Sequence, residues 1–369
     1  MIKSKSSRIV SLCVAFALIL TSCNEQPRNI PSDTLGMEEQ EPLSTTVYAS
    51  QNRPDVRGQI GAVSAGHPLA AQAGLRVLQD GGNATDAIIA MAGVLAVVRP
   101  HMNGIGGDAF GIFYNGETGE VTALNASGRS GALATPEFFA VAELDRIPSI
   151  GPLSVSVPGA VAGWIDAHDR YGSMNFAELL STGIDYARNG FAVSSRLAQD
   201  FEEQGQNLND AGRDLYLPNS NPPKVGSLLR NPQLANSLEI VADQGKEGFY
   251  NGSIAQKLSA FITEQGGYLR QGDFASHSST WVTPLRGDYL NHEFVVMPPN
   301  TQGVTQLALF EMAKSHDLAS MTQNSADYLH TLVELKKLAF ADRDRWVADP
   351  NSANVPVDQL LDADYLKNR

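Results

Sequence analysis

Asn103-Gly104-Ile105-Gly106-Gly107-Asp108-Ala109-Phe110 decides how this chain is read. Gly104, Gly106 and Ala109 fit the dinucleotide fingerprint G-x-G-x-x-A. That fingerprint needs a strand before it and a helix after it, so that the helix N-terminus can hold a pyrophosphate. Here the order is inverted. Ala87 to Val98, apolar nearly all round, reads as a buried helix in front of the turn. Phe110–Tyr114 and Glu120–Leu124 read as two strands behind it, joined by the hairpin signal Asn115-Gly116-Glu117-Thr118-Gly119. The glycines therefore read as places where backbone approaches backbone or a substrate, not as a nucleotide cradle.

Outward from this turn the chain is rich in helices. Pro68–Gln79 keeps Leu69, Ala73, Leu75, Val77 and Leu78 near one face and stops at Asp80-Gly81-Gly82. Asn83 to Asp86 offers N-caps for the next helix. Helical periodicity returns over 161–171, 176–189, 233–245, 253–265, 303–314 and 325–347, with strands expected at 281–282 and 294–297. Residues 207–232 read as loop, with several prolines. The order is a helix-rich α/β (α+β) mixture with scattered hairpins and no regular βαβ alternation.

The 369 residues are 43 % hydrophobic and 18 % charged, with a formal net charge of −13. That is a globular composition and a poor one for nucleic acid. The only cysteines are Cys13 and Cys23. Both lie at the start, so the body can form no disulfide, thiol nucleophile or cysteine metal site. The histidines are scattered, and no H-E-x-x-H, G-x-S-x-G or G-x-x-x-x-G-K-[ST] occurs. No metal or other cofactor is expected. Asp342-Arg343-Asp344-Arg345 reads as solvated charge paired along a helix.

Residues 1–22 read as an export signal. Lys3, Lys5 and Arg8 precede the apolar run Ile9–Leu20, which is too short to span a bilayer, for which roughly 20 residues are needed. Leu20-Thr21-Ser22-Cys23 resembles a bacterial lipobox, which implies lipid on Cys23. The chain is then an exported lipoprotein, anchored to a membrane and facing the periplasm or the exterior. Residues 23–57, with four prolines and an acidic cluster, read as a flexible tether. Residues 58–369 form the body, opened by the apolar run Ile60–Val63.

One further feature stands out. Leu124-Asn125-Ala126-Ser127-Gly128-Arg129 places a lone Arg among small residues at a strand end. Arg suits bidentate carboxylate capture, and a plain surface Arg is the competing reading.

Seven stretches, taken together and in this order, are similar to the large subunit of the gamma-glutamyltranspeptidase family. They are residues 64–74, 81–87, 103–110, 124–129, 156–163, 298–303 and 337–344. The resemblance implies an N-terminal nucleophile hydrolase with an αββα sandwich, of which this chain supplies the large-subunit part. It implies a precursor that cuts itself, and a small subunit whose new N-terminal Thr attacks the γ-glutamyl amide of glutathione-type peptides. The Thr amine can serve as base, and glycine N–H groups as oxyanion donors. By the same resemblance, Arg129 grips the substrate α-carboxylate, and Gly106 and Gly107 are packing elements near the pocket. Asp108 stands where many relatives have Gly, as in a branch with acylase-like members, so an acylase on other amides is the alternative.

The chain ends at Arg369 with no small-subunit sequence, so no catalytic residue is assigned within it. Residues 23–369 alone are expected not to turn over γ-glutamyl-p-nitroanilide. A non-catalytic lipoprotein scaffold that only binds is a third reading. The expected partners are a γ-glutamyl substrate, the chain's own small subunit and a membrane.

Overall fold

Two stacked helices are the first elements of the described chain. The structure, a computed structural model, describes residues 56–369. The export signal, Cys23 and most of the tether lie outside the described residues. Helix α1 (Pro68–Gln79) starts at His67, whose Nδ1 accepts the Leu69 N–H. Helix α2 (Ala84–Val98) starts three residues earlier than its apolar run, because Asn83 and Asp86 close a capping box there. Eleven of its fifteen residues are buried, as the all-round apolar sequence demands. Asp86 is fully buried. Burial alone would raise its pKa. Hydrogen bonds from the Ser173 hydroxyl and from the N–H groups of Asn83, Ser173 and Met174 outweigh burial and hold it below the ordinary carboxylate range.

Strands β1 (Ala109–Tyr114) and β2 (Val121–Ala126) form the expected hairpin. Its loop is closed by Asn115, whose N–H donates to the Glu120 carbonyl and whose side chain accepts from Glu117 and Thr118. A short helix α3 (Pro136–Val141) follows, then α4 (Ala160–Tyr171) and α5 (Phe176–Asn189). The next stretch holds β3 (Phe191–Ala192), α6 (Ser195–Gln204), α7 (Asp210–Tyr216) and β4 (Leu228–Leu229). Most of it reads as loop in the sequence, since a two-residue strand has no periodicity to detect. Helix α8 (Pro232–Lys246) runs into one π-helical turn (Glu247–Asn251). Then come α9 (Ser253–Glu264), α10 (Gln271–Ala275) and β5 (Thr280–Val282). Ile60–Val63 forms no element, and Ile60 is fully exposed.

The main core lies among α1, α2, α5 and α8, each packed on the next, with α4 bridging α2 to the sheet. The sheet has the order β1–β2–β5, all antiparallel. Its inner face carries Ala109, Gly111 and Phe113 toward α4. Phe113, Tyr171 and Trp281 meet there ring to ring at 5.2–5.6 Å. Its other face is open: Phe110, Ile112 and Tyr114 are 47, 44 and 70 % exposed. One sheet thus has a helical layer on one side and an uncovered apolar side.

The hairpin β6 (Leu285–Tyr289) and β7 (His292–Val296) leads to α11 (Gly303–Ala313), α12 (Ala326–Trp346), α13 (Val357–Leu360) and α14 (Ala363–Lys367). A second, smaller core of Ala308, Met312, Ala313, Leu335, Ala339 and Leu366 joins α11, α12 and α14. The solvated-charge reading of Asp342 fails here. Asp342 is 8 % exposed and takes hydrogen bonds or ion pairs from the Tyr365 hydroxyl at 3.0 Å and Arg369 at 3.1 Å. Its partners come from α14 and beyond, which helical spacing cannot reveal. Gly58–Arg369 clusters as one unit, and no helix among the described residues is long and apolar enough to cross a membrane.

Candidate active site

Strand β2 delivers Asn125 and Ala126, and the chain then turns out through Ser127, Gly128 and Arg129. The segment Ser156–Gly159, just before α4, crosses this corner backbone against backbone. A Cβ on Gly128 would collide with the Val157 carbonyl oxygen, and a Cβ on Gly159 with that of Ala126. Only glycine permits either approach. The Val157 N–H donates to the Arg129 carbonyl at 2.9 Å. The N–H groups of Gly159 and Ala160 both donate to the Gly107 carbonyl, at 3.0 and 2.8 Å. The start of α4 therefore gathers the glycine-rich turn and the arginine corner into one place. Asp108 fastens them from the other side, its Oδ1 accepting the Gly128 N–H at 2.7 Å.

The Arg129 side chain is exposed, and among the described residues its guanidinium makes no hydrogen bond or ion pair. The nearby carboxylate, Asp108, turns one oxygen to the Gly128 N–H instead. Beside Arg129 three side chains close a ring. Ser127 N–H donates to Asn125 Oδ1 at 3.0 Å, Asn125 Nδ2 to Asn300 Oδ1 at 2.8 Å, and Asn300 Nδ2 to Ser127 Oγ at 2.8 Å.

Beneath the corner lies Tyr250, 3 % exposed, on the π-helical turn. Its hydroxyl donates to the Pro158 carbonyl at 2.8 Å and accepts from the Ala162 N–H at 3.1 Å. It thereby pins the segment that crosses the arginine corner. Burial pushes its pKa well above that of a free phenol, so it stays a neutral strut. His277 stacks on it at 5.2 Å, with neither ring nitrogen hydrogen-bonded among the described residues. Burial first, and the Arg129 charge second, lower its pKa against the opposing pull of Asp108 and Asp166. Asp166 itself pairs with Lys246.

The site residues expected from sequence are thus partly gathered. Arg129 and Asp108 meet at one corner. Gly106 and Gly107 stand in the same turn and line the groove below it; both are exposed, a Cβ on Gly106 would meet nothing, and Gly107 meets the start of α4 through its carbonyl. The glycines whose missing Cβ permits a close approach are Gly128, Gly159 and Gly163, the last set against Ala126 and Ala109. The sequence alone does not single out Asn300, Tyr250 or His277. Asn300 lies inside a quoted stretch, residues 298–303, while Tyr250 and His277 carry no sequence pattern. A groove of about 880 Å³ runs under the turn, walled by Ile88, Met102, Ile105, Phe110 and Trp164. Asp108 lines that groove and Arg129 does not; a guanidinium without a partner among the described residues is suited to hold a carboxylate.

The model of the family described as "Gamma-glutamyltranspeptidase" matches residues 70–369. The chain is 36 % identical over 303 residues to the glutathione hydrolase-like YwrD proenzyme of Bacillus subtilis, covering 82 % of this chain and 58 % of that protein. It thus spans little more than half the length of that relative. Gamma-glutamyltranspeptidase of Helicobacter pylori superposes with a TM-score of 0.80 at 28 % identity, over 85 % of this chain and 92 % of that one. Cephalosporin acylase from Bacillus halodurans superposes with a TM-score of 0.75 at 32 % identity, over 90 % of this chain and 62 % of that one. The fold is therefore that of the N-terminal nucleophile hydrolases, with helix and sheet mixed as expected.

Proposed function

The chain belongs to the gamma-glutamyltranspeptidase family, an enzyme family, and from that premise we propose that it is the large-subunit part of a γ-glutamyl amidase. One observation carries this reading: among the described residues the Arg129 guanidinium is unpaired, and it is held at a corner fixed by Asp108, Val157 and α4. Arg129 takes the α-carboxylate of a γ-glutamyl group, and the γ-amide extends over the open sheet face. A small subunit covers Phe110, Ile112 and Tyr114 with its own sheet and brings in an N-terminal Thr. The Thr hydroxyl attacks the γ-carbonyl while its α-amine takes the proton. The amide C–N bond breaks, the amine leaves protonated, and water or an acceptor amine releases the glutamyl group from the ester. The residues of this chain bind and orient; the bond-making groups come from the small subunit.

An acylase on other amides is the second reading. It is favoured by the Asp108 carboxylate at the corner and by the similarity to a cephalosporin acylase. Comparing the processed two-subunit enzyme on γ-glutamyl- and glutaryl-p-nitroanilide separates the two. The first reading expects the γ-glutamyl amide to be cleaved with the higher kcat/KM, and the reverse order would replace it with the acylase.

The place of action is outside the cytoplasm, on a lipid anchor at Cys23. Residues 3–23 support this through their charge, apolar length and terminal Cys. Metabolic labelling with palmitate should mark the wild-type protein and not Cys23→Ser. Equal labelling of both would remove the anchor from Cys23.

A further inference from the structure

We infer that Ser127 is a second anion-binding group beside Arg129, and that Asn300 aims its hydroxyl. The inference rests on the reading of Arg129 as a carboxylate site and adds a ligand to it.

The orientation follows from the closed ring. A backbone N–H can only donate, so the Ser127 N–H fixes the atom it meets on Asn125 as the carbonyl oxygen. The other end of the Asn125 amide is then the NH₂ and must donate, which fixes the atom it meets on Asn300 as oxygen. The NH₂ of Asn300 in turn must donate to Ser127 Oγ. Neither amide can flip without setting donor against donor. Ser127 Oγ therefore spends a lone pair on Asn300, and its proton points elsewhere. Among the described residues no group accepts that proton. The hydroxyl stands two residues before Arg129. Its ring partner Asn125 lies across from Phe110, on the open face of the sheet. A donor held there is available to the anion that Arg129 binds, and a hydrogen bond to a charged group is among the stronger ones.

The test uses the processed enzyme and two substrates, γ-glutamyl-p-nitroanilide and γ-aminobutyryl-p-nitroanilide, which lacks the α-carboxylate. The readout is the ratio of their kcat/KM values. Ser127→Ala should lower this ratio about tenfold, chiefly through KM of the γ-glutamyl compound. Asn300→Asp keeps the shape but cannot donate. Its carboxylate accepts the Ser127 proton and turns it away from the substrate, so the ratio should fall at least as far. A merely structural role would lower both substrates alike, and an unchanged ratio for Ser127→Ala overturns the inference. If Arg129→Ala collapses the ratio while Ser127→Ala leaves it, the carboxylate site stands and only the Ser127 assignment falls. If Arg129→Ala leaves the ratio unchanged, the carboxylate reading itself is wrong, and the inference falls with it.

Discussion

Arg129→Ala is expected to raise the KM of the processed enzyme for γ-glutamyl-p-nitroanilide about 100-fold, with a smaller loss in kcat. Removing one partner of a hydrogen-bonded charge pair costs roughly 2–5 kcal/mol, and about 2.8 kcal/mol corresponds to a factor of 100. The geometry puts the whole loss on the substrate. No protein group among the described residues is bonded to this guanidinium, so nothing else is left unpaired when it goes. Arg129→Lys should recover only part of the binding, because an ammonium keeps the charge but not the planar fork. A KM for Arg129→Ala within threefold of wild type would show that the carboxylate is gripped elsewhere.

Gly128→Ala is expected to be as damaging by a different route. The added methyl collides with the Val157 carbonyl, a backbone atom that cannot swing aside as a long side chain could. Both strands of the crossing are tied, one by the Val157 N–H to the Arg129 carbonyl and the other by the Gly128 N–H to Asp108. Relief therefore needs a shift of the start of α4 or of the end of β2. Overpacking of this kind costs about 3 kcal/mol, and the thermal midpoint of the purified protein should fall by roughly 6–12 °C. Gly106→Ala makes the control, since its methyl meets open space and should leave the midpoint within about 2 °C. Equal midpoints for Gly128→Ala and wild type would mean that the two backbones do not cross as described.

The elements that could be read from the sequence are those written locally. Helix α1 ends at its Asp80-Gly81-Gly82 stop, and the β1–β2 loop is announced by Asn115-Gly116. Both depend on residues within a few positions of each other. Strand β6 escaped because Leu285-Arg286-Gly287-Asp288-Tyr289 holds no β-branched residue and a central glycine. The site divides in the same way. Arg129 could be singled out because an arginine among small residues at a strand end is locally odd. Asn300 reaches Ser127 across 173 residues, and Tyr250 reaches Pro158 across 92. Such partners are chosen by tertiary approach, which leaves no period or spacing in the chain. Gly128 and Gly159 are the glycines that a Cβ would break, because what sets a glycine's necessity is the segment crossing it.

The uncovered face of β1 also has a meaning in time. If a small subunit follows in the same polypeptide, as proposed, its synthesis takes on the order of ten seconds or more at roughly 5–20 residues per second. Throughout that interval Phe110, Ile112 and Tyr114 stand on an edge strand that is paired on one side only, by β2, among the described residues, and that no second sheet covers. An apolar edge of that kind pairs readily with its own copies. The newborn half-sandwich is thus most vulnerable between its own folding and the arrival of its other half, and its yield in the cell depends on how briefly that gap lasts.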